Sequence, residues 1–127
     1  MATLTILYAD DNLRNLDFVR LVLRDQDLRL LEVADGQAAI DTALREHPDL
    51  ILMDINMPEV NGLEATRRLK ALPEFAHTPI VALTANSMPG DRDACLAAGC
   101  DAYLMKPIIR HELLKTIHQL TEPLPKT

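Results

Sequence analysis

The sequence predicts an α/β fold in which a parallel sheet of five strands is covered by helices on both faces. Short apolar runs alternate five times along the chain with segments whose apolar residues recur at helical spacing. The connections between these elements are short, which favours repeated strand–helix units. Right-handed crossovers in such units place helices on both faces of the sheet.

The first half of the chain contains three strand–helix units. The run 50–53 is apolar without alternation, as is typical of a strand covered on both faces. Asp35 precedes the second helix and belongs to the residue types preferred at a helix N-cap. Pro48 ends that helix, because proline cannot donate a backbone hydrogen bond. The predicted strands are 4–9, 28–33 and 50–53. The first and third predicted helices end near Arg24 and Leu72, and the second covers 38–45.

The second half contains two more units. Gly99 follows the fourth helix, at a place where a left-handed residue is favoured. The segment 121–127 contains two prolines and predicts a short tail, so we expect one domain over 1–127 with no output domain after Leu120. Any output is then contact with another protein, or the chain is a piece of a larger one. The predicted strands are 79–83 and 102–105, and the predicted helices are 91–98 and 110–120.

Composition excludes several classes of function. Hydrophobic residues make up 48% and charged residues 25% of the 127 residues, which is typical of one globular domain. A net charge of -6 lacks the basic footprint of a nucleic-acid-binding protein. No apolar run reaches the roughly 18 residues of a membrane helix, and the N-terminus lacks a signal-peptide pattern. We therefore expect a cytoplasmic protein that binds neither nucleic acid nor membrane directly. The two cysteines, Cys95 and Cys100, are predicted to be small buried residues.

Polar side chains follow four of the five predicted strands. Asp10 and Asp11 follow the first strand, Asp54 the third, Thr84 the fourth and Lys106 the fifth. Because ligands bind outside the carboxyl ends of strands in open α/β sheets, these residues predict one site. Carboxylates about 4 Å apart repel by roughly 4 kcal/mol at an effective dielectric near 20. One lysine cannot offset three carboxylates, so the cluster predicts a divalent cation, and oxygen ligands favour Mg²⁺.

Such a site suits phosphoryl transfer to a carboxylate. Asp54 ends the central strand, and we predict that it is the nucleophile that forms an aspartyl phosphate. The Thr84 hydroxyl and the Lys106 ammonium can each donate to a phosphoryl oxygen. Asp10 and Asp11 fit better as metal ligands, directly or through water. Adjacent aspartates after a strand can instead cap a helix, but the other three polar residues favour the metal site.

Four motifs occur in order along the chain: Asp10-Asp11-Asn12, Leu52-Met53-Asp54-Ile55-Asn56-Met57-Pro58 with Asn61-Gly62, Thr84-Ala85, and Tyr103 followed by Lys106-Pro107. Together they resemble the response-regulator receiver domain, the CheY-like family of two-component signalling. The resemblance covers 4–120. In character the chain is most similar to stand-alone DivK-type regulators or to the receivers of hybrid histidine kinases.

The resemblance implies a flavodoxin-like, CheY-like doubly wound sheet with strand order 2-1-3-4-5 and five helices. It implies that Asp54 accepts a phosphoryl group from a phosphohistidine on a histidine kinase or a histidine phosphotransfer protein. It also implies that Asp11, Asp54 and the backbone carbonyl of Asn56 hold Mg²⁺, with Asp10 assisting.

The resemblance implies further roles around the phosphoryl group. Thr84 would be the switch hydroxyl, Lys106 would pair with the phosphate, and Ala85 would leave space where the phosphoryl group enters. The Lys106-Pro107 peptide is expected to be cis. Tyr103 would turn inward when Thr84 moves, although it could also be a static, half-buried strand residue.

The family's habits also imply where a downstream protein docks. That surface would comprise the last helix, the fifth strand and the preceding helix, around Cys95, Tyr103, Arg110, His111 and Leu114.

Two departures from the family pattern are visible. Tyr8-Ala9 replaces an aliphatic pair before the aspartates, and we expect it to alter packing but not the ligands. Asn61 stands where an aspartate is common, and Asn-Gly supplies the same turn chemistry.

Two other functions remain open at the level of sequence. A haloacid-dehalogenase-like phosphatase also uses an aspartate nucleophile with Mg²⁺, but it needs a second aspartate where this chain has Asn56, and a cap domain. An inert pseudo-receiver used for docking is disfavoured by the intact set of Asp11, Asp54, Thr84 and Lys106.

Overall fold

The computed structural model of the chain describes residues 4–24, 26, 28–55, 57, 61–84 and 89–121. Within these residues five strands alternate with five α-helices. The strands are β1 (Leu4–Ala9), β2 (Leu28–Val33), β3 (Leu50–Asp54), β4 (Ile80–Thr84) and β5 (Ala102–Met105). The helices are α1 (Leu13–Leu23), α2 (Gly36–Glu46), α3 (Gly62–Lys70), α4 (Pro89–Ala98) and α5 (Arg110–Thr121).

The five strands form one parallel sheet in the order β2-β1-β3-β4-β5. This is the doubly wound order of flavodoxin and CheY, so the predicted fold class is confirmed. All residues of β3 are buried, in agreement with its unbroken apolar run. The order of strands reverses between β1 and β3, which creates a crevice at their carboxyl ends.

Two apolar clusters cover the two faces of the sheet. One cluster packs the sheet against α2, α3 and α4, and the other packs it against α1 and α5. Because alternate strand residues point to opposite faces, Leu7 enters the first cluster and Tyr8 the second. Cys95 and Cys100 are both buried as free thiols, so their predicted burial is confirmed. No helix in the described part of the chain is long and apolar enough to cross a membrane.

The ends of α2 follow from its flanking residues. The Asp35 side chain accepts a hydrogen bond from the backbone N–H of Ala38 at 2.7 Å, so its predicted N-cap role is confirmed. The helix begins at Gly36, two residues before its predicted start. At the other end His47 adopts the left-handed conformation with φ 49°. A residue before proline avoids the helical region, which is how Pro48 ends the helix.

The connection from α3 to β4 differs from the prediction. The helix ends at Lys70, whereas the sequence predicts a helix to about Leu72, and a 3-10 turn over Pro73–Phe75 follows. The Phe75 ring is buried and stacks on His47 with ring centroids 5.7 Å apart. Gly99 has φ 107°, which confirms the predicted left-handed residue after α4.

Candidate functional site

The carboxyl ends of four neighbouring strands meet at one edge of the sheet. Asp10 directly follows β1, Asp54 ends β3, Thr84 ends β4 and Lys106 directly follows β5. These four strands are consecutive neighbours in the sheet, so the four residues occupy adjacent strand ends. The structure places them at the edge where open α/β sheets bind their ligands.

Asp10, Asp11 and Asp54 form an acidic cluster at this edge. Each offers a carboxylate oxygen, and these oxygens all lie within 4.8 Å of one another. The Asp10 side chain is fully buried, Asp54 is 2% exposed, and Asp11 is exposed. Neighbouring buried carboxylates are costly unless positive charge or hydrogen-bond donors compensate them.

Lys106 supplies positive charge to both buried carboxylates. Its Nζ lies 3.2 Å from Oδ2 of Asp10 and 3.1 Å from Oδ2 of Asp54. The Lys106 backbone N–H donates to the carbonyl oxygen of Thr84 at 2.7 Å, which fixes the start of this loop against β4. The peptide bond between Lys106 and Pro107 is cis.

Asp10 is further held by three donors from β1 and the start of α1. The Tyr8 hydroxyl donates to Oδ2 of Asp10 at 2.6 Å, and Nδ2 of Asn15 donates to the same oxygen at 3.2 Å. The Asn12 backbone N–H donates to Oδ1 at 2.9 Å. The expectation that Tyr8 alters packing only was therefore wrong. Tyr8 and Asp10 are two residues apart, so they lie on the same side of the extended chain, and this spacing is the signal that could have revealed their contact.

These contacts determine the protonation of the Asp10–Tyr8 pair. Burial acts to raise the pKa of the Asp10 carboxyl, but hydrogen bonds from Tyr8 and Asn12 and the charge of Lys106 outweigh it and hold the pKa below its usual range. Burial and the neighbouring Asp10 raise the pKa of the Tyr8 phenol. At neutral pH Asp10 is therefore a carboxylate and Tyr8 a protonated donor.

The N-cap of α1 is Asn12 and not an aspartate. Its side chain accepts hydrogen bonds from the backbone N–H groups of Arg14 at 2.9 Å and Asn15 at 3.4 Å. Asp10 instead points its carboxylate toward Lys106. The capping interpretation of the adjacent aspartates does not hold for this helix.

Two small or buried residues shape the floor of the site around Asp54. Thr84 is fully buried at the end of β4. Gly62, the first residue of α3, approaches β3 so closely that a Cβ there would lie 2.2 Å from the Asp54 carbonyl oxygen. Only glycine lets α3 pack this near to the Asp54 backbone. Asn61 caps α3 through a hydrogen bond from the Glu64 backbone N–H at 3.0 Å.

Some predicted site residues are not part of the described structure. Asn56, the source of the implied carbonyl ligand, and Ala85, at the implied entry of the phosphoryl group, lie outside the described residues.

The implied docking surface needs one correction. Cys95 is fully buried in the cluster beneath α4, so it cannot contribute to a docking surface. Arg110 and His111 are exposed, and Leu114 and Tyr103 are partly buried. Beside them a groove of about 450 Å³ runs between β5 and α5. The groove is lined by Tyr103, Leu104, Met105, Glu112, Lys115, Thr116 and Gln119.

The acidic cluster fits a hard divalent cation. It offers carboxylate oxygens, which favour Mg²⁺ over zinc, and these oxygens are close enough to share one ion. One lysine faces three carboxylates here, so the described groups leave an excess of negative charge that a cation would offset.

Comparison with known proteins decides the family. A family model described as the response regulator receiver domain matches residues 6–118. The chain belongs to this family. Receiver domains are signalling switches of two-component systems, they bind Mg²⁺ in their active site, and they interact with histidine kinases or phosphotransfer proteins.

Three similar proteins illustrate the range of this family. The polar-differentiation response regulator DivK of Brucella ovis is 39% identical over 115 residues, which cover 91% of this receiver and 94% of DivK. The receiver domain of sensor histidine kinase PA1611 from Pseudomonas aeruginosa PAO1, with a magnesium ion coordinated in its active site cleft, is 40% identical with a TM-score of 0.88 and covers 95% and 99% of the two chains. A chain from the co-crystal of the Saccharomyces cerevisiae phosphotransfer protein Ypd1 with the Ssk1 receiver domain is 26% identical with a TM-score of 0.89 and covers 98% and 94%.

Proposed function

We propose that this receiver accepts a phosphoryl group on Asp54 from a phosphohistidine donor, with the help of Mg²⁺, and that phosphorylation changes partner binding. The position of the Asp54 carboxylate carries the proposal. It ends the central strand, 3.1 Å from the Lys106 ammonium and beside the oxygens of Asp10 and Asp11. A nucleophile, a cation site and an ammonium group are thus within reach of one phosphoryl group.

The cation would be held mainly by Asp11 and Asp54, with Asp10 assisting through water. The carbonyl of Asn56 is the further ligand that the family pattern implies. When bound, Mg²⁺ offsets the negative charge of the carboxylates and of the phosphoryl oxygens. The magnesium ion in the Pseudomonas receiver supports this assignment.

The residues of this chain would act as follows during transfer. A carboxylate oxygen of Asp54 attacks phosphorus, so that an O–P bond forms as the P–N bond of the phosphohistidine breaks. The electron pair of that bond stays on the departing imidazole. Lys106 pairs with one phosphoryl oxygen and the Thr84 hydroxyl donates to another. The family pattern implies that the small residue Ala85 would leave space for the group to enter.

The conformational response would run from Thr84 to Tyr103. Tyr103 lies opposite Ala82 in the β4–β5 register, and Ala82 is two residues before Thr84 on the same side of β4. When Thr84 moves toward the phosphoryl group, space opens along this side of β4, and the Tyr103 ring turns into it. The groove between β5 and α5 changes shape with that ring.

The partners follow from this mechanism. The donor would be a histidine kinase or a histidine phosphotransfer protein, and the Ypd1–Ssk1 complex shows such a pairing for a similar receiver. A downstream protein would dock on α5 and β5, near Arg110, His111 and Leu114. Neither nucleic acid nor membrane is a direct partner in this proposal, and the chain acts in the cytoplasm.

We further propose that 1–127 is a single receiver domain. Of the predicted tail 121–127, Thr121 is the last residue of α5 and the rest lies outside the described residues. The domain would assist its own phosphorylation and dephosphorylation at Asp54 and would not be an enzyme that acts on a separate substrate.

Intact-protein mass spectrometry after incubation with acetyl phosphate tests the proposal. We expect one phosphoryl group on the wild type and on Asp41→Ala, an exposed aspartate on α2 that serves as the matched control. We expect none on Asp54→Ala and none in the presence of EDTA. Phosphorylation that persists in Asp54→Ala, or that does not need Mg²⁺, would contradict the proposal. A wild type that also stays unmodified by a phosphohistidine donor would be the docking-only pseudo-receiver.

A further inference from the structure

The Tyr8 hydroxyl makes a close contact with the acidic cluster that the proposed chemistry does not use. It lies 2.6 Å from Oδ2 of Asp10 and is buried. A hydroxyl that donates to a carboxylate at this distance makes one of the stronger hydrogen bonds found in proteins. The Tyr8 ring is fully buried in the cluster beneath α1 and α5, so its position is fixed by packing.

The Oδ2 atom of Asp10 has three donors around it. Besides Tyr8, these are Nδ2 of Asn15 at 3.2 Å and Nζ of Lys106 at 3.2 Å. The other carboxylate oxygen accepts the Asn12 backbone N–H at 2.9 Å. Each oxygen of an ionised carboxylate offers about two lone-pair positions, so the three donors around Oδ2 engage that oxygen fully, whereas Oδ1 accepts one hydrogen bond.

A carboxylate oxygen that is already engaged is a poor direct ligand for a cation. To coordinate through Oδ2, Asp10 must give up a donor, and the shortest of these bonds is the one to Tyr8. The Asp54 carboxylate is 3.1 Å from Lys106, and Asp11 is exposed to solvent at the mouth of the cluster. The cation therefore has better access to Asp11, which is exposed, than to the buried Asp10.

We propose that Tyr8 is a positioning residue that weakens Mg²⁺ binding by keeping Asp10 engaged through its hydroxyl. This inference rests on the proposed function, because it concerns the same cation site. The hydroxyl competes with the cation for Oδ2 of Asp10, so a phenylalanine that keeps the ring and removes only the hydroxyl takes away the closest donor on that oxygen. The affinity for Mg²⁺ then rises.

The test is a titration of the metal-free protein with MgCl₂, followed through the backbone amide signal of Asp11 in two-dimensional ¹H–¹⁵N NMR spectra. For Tyr8→Phe we expect a dissociation constant about tenfold lower than that of the wild type, the size of effect that one hydrogen bond to a charged group exerts. Tyr8→Leu also lacks the hydroxyl but packs differently, so it should shift affinity in the same direction. The NMR spectra also show whether each variant is folded.

A second background separates the hydroxyl's effect on Asp10 from a general effect of packing. In Asp10→Asn the carboxylate is absent, so adding Tyr8→Phe should change the Mg²⁺ affinity by less than about twofold if the effect runs through Asp10. An equal shift in both backgrounds would overturn the proposal, as would an unchanged or weaker affinity in Tyr8→Phe. A wild type that binds no Mg²⁺ would overturn this inference and the proposed cation site together, whereas Mg²⁺ binding without a Tyr8 effect would overturn this inference alone.

Discussion

The negative charges of the acidic cluster are partly offset by the positive charge of one lysine side chain. Asp10 and Asp54 are buried side by side and share the ammonium of Lys106, at 3.2 and 3.1 Å. Asp11 adds a third negative charge within 4.8 Å of both. Without a cation the described groups carry an excess of negative charge, so the three carboxylates of the metal-free site repel one another.

Removing the charge of Asp11 should relieve part of that repulsion. We expect Asp11→Asn to stabilise the metal-free protein by on the order of 0.5 kcal/mol, a small effect because the side chain is exposed and solvent screens its charge. The same variant should lose most of the stabilisation that Mg²⁺ gives to the wild type, because bound ligand stabilises the folded state. Urea unfolding with and without MgCl₂ measures both effects, and Asp41→Asn on α2 is the control. A less stable metal-free Asp11→Asn would contradict this reasoning.

The buried thiol of Cys100 differs in protonation between the folded and the unfolded protein. Burial raises the pKa of its thiol to about 12 from 9.0, and the nearby Cys95 adds to the shift. The folded state therefore holds this proton more tightly than the unfolded chain does. The stabilisation that follows is complete below the unfolded pKa of 9.0 and is lost as the pH rises toward about 12.

Alkylation by iodoacetamide at pH 8 measures this protection, because the thiolate is the reactive form. Peptide mapping should show Cys100 modified more than about tenfold faster in urea-unfolded protein than in the native state. Equal rates in the two states would contradict the buried, protonated thiol.

At the scale of elements, the loops after the strands place the site, and caps fix where the helices begin. Asp35 caps α2 through the Ala38 backbone N–H at 2.7 Å, and Asn12 and Asn61 cap α1 and α3. Asn12 and Asn61 come after β1 and β3, the two strands whose carboxyl ends carry the aspartates of the acidic cluster. Asp35 follows β2, which is an edge strand and carries none of the aspartates of the acidic cluster. This cap can therefore be removed without disturbing the cluster.

Loss of the Asp35 cap should destabilise the protein without altering its chemistry. We expect Asp35→Ala to lower the free energy of unfolding by about 1 kcal/mol, and Asp35→Asn to retain most of the stability because asparagine caps helices equally well. Urea unfolding of the three proteins gives the comparison. Equal stability of Asp35→Ala and the wild type would contradict the cap, and a changed Mg²⁺ affinity would contradict its separation from the acidic cluster.

Some contacts between elements could be predicted from the sequence, and others could not. The meeting of Asp10, Asp54 and Lys106 could be predicted because parallel strands end at one edge, whatever their exact bounds. The bond from Tyr8 to Asp10 was missed, because an apolar position in β1 suggested a core residue and its hydroxyl was not followed to a partner. The 3-10 turn at Pro73–Phe75 begins with a proline, a local signal that the prediction did not use, whereas the stacking of Phe75 on His47 joins residues that are distant in sequence.

At the scale of the whole molecule, the apolar residues that stabilise the sheet and the polar residues of the site lie in different places. Two apolar clusters, one on each face, hold the strands in place, while the polar residues gather at one edge. The groove between β5 and α5 lies beside the strand that carries Tyr103 and leads to Lys106. A change at the acidic cluster therefore has a short path, through β4 and β5, to a surface that a partner can reach.

The identity of the phosphorylated residue is the central claim, and chemical trapping tests it most directly. After incubation with acetyl phosphate and Mg²⁺, borohydride reduces an aspartyl phosphate to homoserine, and peptide mass spectrometry then locates the changed residue. We expect homoserine at position 54 alone, with Asp10 and Asp11 unchanged. Homoserine at position 10 or 11, or none in protein whose intact mass shows a phosphoryl group, would contradict that claim.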